Sequence, residues 1–181
     1  MNSPQGDPTY IKNKDKFFLS VAKALAAGST HPKSPGACVI VRDREIIGDG
    51  RSLLTDSKVE IDCICYAIAT AAKNGTFTNA AVIYSTRYPF SDSVFQAYVI
   101  GVRKIIVLAH EWEPYYKDEF RRAARLAREL NISIEPIYED EDPRFTRNTQ
   151  DRFGENPFQI DNYDPKDAKA TINEDTDFIR P

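Results

Sequence analysis

The apolar positions of the chain change their spacing repeatedly between Phe17 and Tyr138, and each change marks an element. Phe17-Phe18-Leu19, Val21-Ala22 and Ala24-Leu25-Ala26 recur at helical spacing and stop at Ala27-Gly28-Ser29, where the glycine is a helix-ending signal. Ala37-Cys38-Val39-Ile40-Val41 is the unbroken apolar run of a buried strand; Arg42-Asp43-Arg44-Glu45 reads as a tight turn and Ile46-Ile47-Gly48 as the returning strand. Helical periodicity then predicts helices over Ile61 to Ala72, closed by Asn74-Gly75, over Ser93 to Ile100 and over Tyr116 to Leu130. Strands are predicted over Ala80 to Ser85, Lys104 to Leu108 and Ile132 to Tyr138. The order αββαβαβαβ, a hairpin followed by alternating helices and strands, predicts an α/β sandwich around a mixed sheet of about five strands.

The ends break this pattern. Residues 1–12 hold two prolines, a glycine and polar residues without periodicity and read as a loose arm. Residues 13–138 form the expected domain, and from Glu139 to Pro181 the chain carries 12 acidic against 6 basic residues. This acidic tail, with its prolines and scattered aromatics, reads either as disordered or as wrapped around a partner subunit. The formal net charge of −3 provides no overall positive field for nucleic acid or anionic lipid, so nucleic-acid binding is not expected. Met1 is followed by neither a basic nor an apolar leader, and no apolar run reaches about 18 residues, so a cytoplasmic protein with no membrane contact is expected. Three cysteines, an odd number, suit a reducing compartment rather than a disulfide framework.

The residues that could carry chemistry are few. Cys63 and Cys65 stand at i and i+2 on a predicted helix, about 200° apart, and cannot both point at one ion. They and Cys38 read as small apolar fillers, with Cys63 alone near a helix start that could lower its pKa. Ser91-Asp92-Ser93 opens a helix and reads as its N-cap, or alternatively as an anion site that the charge of Asp92 would oppose. Arg121, Arg122, Arg125 and Arg128, mixed with Asp118, Glu119 and Glu129, read as a solvated helix face. There is no phosphate loop, no dinucleotide fingerprint, no serine elbow and no repeat.

Three stretches together resemble the cytidine deaminase superfamily, in particular its deoxycytidylate deaminase branch, over roughly Asp15 to Tyr138. SPGACVIVRDREIIGDG is similar to the family's first hairpin, with its I-x-G-x-G return. IDCICYAIATAAKNG stands where the family has V-H-A-E-x-N-A-I, and STRYPFSDSVFQAYVIGVRKIIVL where it has T-x-x-P-C-x-x-C-A-x-x-I-x-x-x-G-I-x-x-V. The resemblance implies a cytidine deaminase-like three-layer α/β/α sandwich and a place in nucleotide metabolism. It also implies a Zn²⁺ held by His or Cys from the first motif and two Cys from the second, with a Glu shuttling protons. At those positions this chain has Asp62 for the His, Ile64 for the Glu, and Phe90 and Ser93 for the two Cys. Phe cannot ligate zinc, Ser is a poor ligand, and Ile has no proton to give, so loss of the zinc is expected, with no other cofactor. Ser52 or Arg51 stands near the position of the family's substrate-holding Asn; His31, Ser52, Cys63 and Asp92 are the candidate pocket residues, and His110 follows the fourth strand.

Three functions remain open on the sequence. The first is a catalytically inactive deaminase-fold subunit, structural or regulatory, in a homo- or hetero-oligomer, as the heterodimeric tRNA adenosine deaminases include a silent subunit. The second is a pyrimidine-nucleotide binder. The third is an enzyme, either a deaminase with a rebuilt site or one using Asp62, Cys63 and Asp92 in other chemistry.

Overall fold

The structure is a computed structural model and describes residues 8–109 and 116–138. The acidic tail, His110 and the first seven residues of the expected arm lie outside the described residues. Helix α1 spans Pro8–Ala26, so it starts inside the stretch expected to be a loose arm; proline at the first helical position needs no N–H there. The hairpin β1 (Ala37–Arg42) and β2 (Glu45–Arg51) turns on Asp43 and Arg44, both at positive φ, the conformation whose twist suits a two-residue hairpin loop. The chain continues through β3 (Leu53–Leu54) and β4 (Glu60–Ile61), then α2 (Cys63–Lys73), β5 (Val82–Ser85), α3 (Ser91–Val99), β6 (Lys104–Leu108), α4 (Lys117–Glu129) and β7 (Ser133–Ile137).

Five strands form one mixed sheet in the order β2-β1-β5-β6-β7, with β1 antiparallel to both its neighbours and β5, β6 and β7 mutually parallel. Strand alternation divides the core into two layers. Val39, Val41, Tyr84 and Ile106 face α1 and pack on Phe18 and Leu19. Cys38, Ile40, Ile83, Ile105 and Val107 face the other side, where Ile64, Ala67, Ala71, Val94, Ala97, Phe120 and Ala123 come from α2, α3 and α4. The expected three-layer α/β/α sandwich is thus the observed one. Tyr84 Oη donates to Asp15 Oδ1 at 2.7 Å and joins α1 to the sheet.

Two features position the site. Gly48 and Gly50 on β2 face α2 so closely that a Cβ on Gly50 would lie 2.2 Å from the Cys63 carbonyl oxygen and 2.4 Å from the Ala67 nitrogen. The missing side chains set α2 against the sheet, with its N-terminus beside the ends of β1 and β5. The second feature, absent from the periodicity reading, is the antiparallel ribbon of β3 and β4, two residues long on each side, which leads directly into α2. No helix among the described residues is long and apolar enough to cross a membrane.

Candidate functional site

Asp62 is the N-cap of α2: it has extended backbone, and its Oδ2 accepts from the Ile64 N–H at 3.2 Å, meeting one of the donors that a helix start leaves unpaired. The same Oδ2 accepts from the Ser93 hydroxyl, which α3 presents from its first turn. Two of the four family-motif positions, separated by 31 residues in sequence, therefore touch directly. The Cys63 thiol lies 3.7 Å from Asp62 Oδ1 and 3.7 Å from the Ser85 hydroxyl at the end of β5, while Cys65 turns the other way, 3.5 Å from the Ser93 hydroxyl. The divergence expected of the two cysteines on a helix is observed. Cys38 completes the floor, its thiol donating to the Cys63 carbonyl at 3.1 Å.

The electrostatics follow from burial. Desolvation pushes the Asp62 carboxyl above its ordinary value, against the opposing pull of the Ser93 hydroxyl, the Arg87 charge and the Ile64 and Cys63 N–H groups. Burial also raises the Cys38 thiol, with Cys63 and Asp62 adding to the effect, and raises Cys65, where only the Ser93 bond opposes it. Thiols held up in this way are poor nucleophiles and reluctant metal ligands.

The remaining motif positions carry no donor. Ile64 is fully buried in the layer between α2 and the sheet. The Phe90 ring packs 5.2 Å from that of Tyr116 and 6.0 Å from that of Phe120. A catalytic zinc needs three protein donors around one point. Here the four positions offer one carboxylate, already accepting from Ser93 and Ile64, and one hydroxyl that donates to it. Among the described residues no group of three or more His, Cys, Asp or Glu converges as a metal would require. The donor set does not fit the zinc that the resemblance implies.

The start of α3 differs from the expectation that Ser91-Asp92-Ser93 would be its N-cap. Phe90 occupies the cap position and makes no side-chain cap bond; Ser91, Asp92 and Ser93 form the first turn. The free N–H of Ser91 is met instead by Glu119 of α4 at 2.7 Å, and the Ser91 hydroxyl donates to the same carboxylate. Asp92 is exposed and makes no bond to Asp62. An anion site at this helix start is therefore already filled by a protein carboxylate.

The other candidate pocket residues lie around Arg87, which sequence reasoning passed over. Arg87 is 3% exposed; its Nη1 donates to the Ser34 carbonyl at 3.2 Å and lies 3.7 Å from Glu60 Oε1. The rings of Phe90 and Tyr116 cover its guanidinium at 5.6 and 5.4 Å. His31 is buried here too, its Nε2 3.2 Å from Glu60 Oε1, and Tyr116 Oη donates to Glu60 Oε2 at 3.2 Å. The Ser52 hydroxyl is buried without a hydrogen-bond partner among the described residues. His31 and Ser52 thus share a neighbourhood, while Asp62 and Cys63 belong to the adjoining cluster under Ser93. An arginine without solvent requires an anion, but the burial that creates this need is not legible in the sequence around Arg87.

No family model and no curated protein sequence matches the chain. Solved structures do match. The dCMP deaminase from the cyanophage S-TIM5, in complex with dCMP and dUMP, superposes with a TM-score of 0.59 at 14% identity, covering 72% of this chain and 98% of that chain. The diaminohydroxyphosphoribosylaminopyrimidine deaminase/5-amino-6-(5-phosphoribosylamino)uracil reductase of Thermotoga maritima gives a TM-score of 0.58 at 19% identity, over 68% of this chain and 36% of that chain. RibD of Acinetobacter baumannii gives 0.53 at 21%, over 68% of this chain and 35% of that chain. The chain has the cytidine deaminase-like α/β fold.

Proposed function

We propose that this protein is a deaminase-fold subunit that does not carry out zinc-dependent deamination and acts by association, as a structural or regulatory member of a homo- or hetero-oligomer. The observation that carries the reading is the hydrogen bond from Ser93 to Asp62. In a zinc deaminase these positions would converge on a metal; here they satisfy each other, with Ile64 packed into the core and Phe90 into an aromatic cluster. No side chain at the proton-shuttling position can accept or donate a proton. Loss of the chemistry leaves the fold itself and its surfaces as the site of function. On α3, Phe95 and Val99 lie one turn apart and exposed, and Tyr66 on the neighbouring α2 is exposed as well, which supports association through this side of the molecule.

The test combines mass and turnover. Sedimentation velocity of the purified full chain is expected to give a discrete species larger than the 20.5 kDa monomer, with no ammonia released from dCMP or cytidine. A monodisperse monomer without a partner, or steady ammonia release, contradicts the proposal.

A further inference from the structure

The ion-pair cluster around Arg87 has the construction of a ligand site. Its donors come from three separate elements: His31 from the loop before β1, Arg87 from the loop after β5, and Tyr116 from the residue that opens α4. The imidazole tautomer is fixed, because Nδ1 accepts the Ser34 N–H at 2.9 Å and so leaves the proton on Nε2, aimed at Glu60. Nε2, the Arg87 guanidinium and the Tyr116 hydroxyl all reach the same carboxylate. His31 and Arg87 are buried and Tyr116 half-buried on the main body of the fold, and the carboxylate is more exposed than the two buried side chains it meets. Glu60 sits on the β3–β4 ribbon, its side chain 31% exposed, beside a turn in which Lys58 has φ 64°. The best-anchored members of the cluster are the anion-binding ones, and the least anchored member is the anion.

A second observation points to a ligand. Ser52 Oγ is 0% exposed and has no hydrogen-bond partner among the described residues, which is costly for a hydroxyl. It lies beside the methylene stem of Arg87: a Cβ on Gly36 would stand 2.3 Å from Arg87 Cδ and 3.1 Å from Ser52 Oγ. Asp62, the other acid that feels the Arg87 charge, is held by Ser93 and the Ile64 N–H and does not take Glu60's place.

We propose that His31, Arg87 and Tyr116 form a binding site for a small-molecule oxyanion of the phosphate or carboxylate class, which Glu60 fills from within the chain until such a ligand displaces it. Simple opening of the ribbon would take a carboxylate away from a buried guanidinium with nothing in its place, which is unfavourable. Exchange of one anion for another keeps a carboxylate or phosphate oxygen beside Arg87. The internal carboxylate acts as a competitor, so the apparent affinity is the intrinsic affinity reduced by the fraction of chains in which Glu60 has left. The inference goes beyond the association proposed above and does not depend on it.

The experiment is a titration of the full chain with inorganic phosphate and, separately, acetate, read by calorimetry and by thermal shift. Glu60→Gln is expected to bind phosphate or acetate at least tenfold more tightly than the wild type, with a thermal midpoint that rises with that anion and not with chloride. The anion giving the larger gain identifies the class. If Glu60→Gln is unfolded in chloride, refolding on addition of phosphate or acetate supports the site, and failure to refold in either overturns it. The double variant Glu60→Gln/Arg87→Met, which removes both charges, is expected to fold and to lose the anion response. An anion response in Glu60→Gln no greater than in the wild type, or one that survives in the double variant, overturns the proposal and leaves Glu60 a structural counter-ion.

Discussion

Gly50→Ala is expected to destabilise the protein by more than about 3 kcal/mol, enough to leave a domain of ordinary stability largely unfolded or insoluble. The added Cβ would fall 2.2 Å from the Cys63 carbonyl oxygen, 2.4 Å from the Ala67 nitrogen and 3.0 Å from the Ala67 Cα. All three are backbone atoms of α2, and none can swing aside as a side-chain tip can. The helix must move as a body, and moving it pulls Asp62 from Ser93 and the Cys63 carbonyl from the Cys38 thiol. Gly48→Ala is the milder comparison: its Cβ would meet the Ala67 carbonyl oxygen at 2.7 Å and the Ala71 Cβ at 2.9 Å. Urea titration checks the order, with the Gly50 variant losing clearly more than the Gly48 variant. A near-wild-type midpoint for Gly50→Ala would show that α2 is not held where the structure puts it.

Asp62→Ala is expected to cost about 2–4 kcal/mol: roughly 1 for the lost N-cap and about 1–3 for leaving the buried Ser93 hydroxyl without its acceptor. Asp62→Asn, which keeps an oxygen for the Ile64 N–H and for Ser93, is expected to lose less. The pair of variants also exposes the charge. Burial raises the folded-state pKa of Asp62 above its ordinary 3.8, so the folded protein holds that proton to higher pH than the unfolded chain does. The resulting stabilisation is fully present below 3.8 and is lost as pH rises through the folded-state value. Wild-type stability measured relative to Asp62→Asn should therefore decline as pH climbs above 3.8 and level off once the folded-state carboxyl has lost its proton. Glu135, lowered because the Lys104 and Ser133 bonds outweigh its partial burial, works in the opposite direction and is present in both proteins, so it cancels in the comparison. A difference that rises with pH would mean that Asp62 is stabilised as a carboxylate by a cation, as a metal ligand would be.

The parts of this fold that could be read from the sequence are those whose physics is local. The Val39/Val41 against Cys38/Ile40 alternation foretold a strand with two buried faces, and the structure gives those faces to different helices. Asp62 and Ser93 were found together because a shared framework of Ala67-Ile68 and Pro89 placed them, although neither residue type announces a site by itself. What was missed is held by distant partners or by very short elements. A ribbon with two residues on each strand has no period to detect, yet it carries Glu60. The α3 start looked self-capped, and the structure satisfies it from α4 through Glu119, a choice that no local rule reports. Pro8 counts toward a loose arm by composition, although a proline preceded by Asp7 is equally a helix-start signal. Arg87 was overlooked because its importance arises from burial, which its two sequence neighbours do not reveal.

The proposed function requires that Asp62 and Ser93 hold each other and not a metal. The measurement that tests it most directly is the zinc content of the purified, untagged full chain, by elemental mass spectrometry against protein concentration. Less than about a tenth of a zinc per chain is expected, since an intact site holds its metal through purification. A value near one zinc per chain would contradict that reading and would make Asp62 and Cys63 the first ligands to replace.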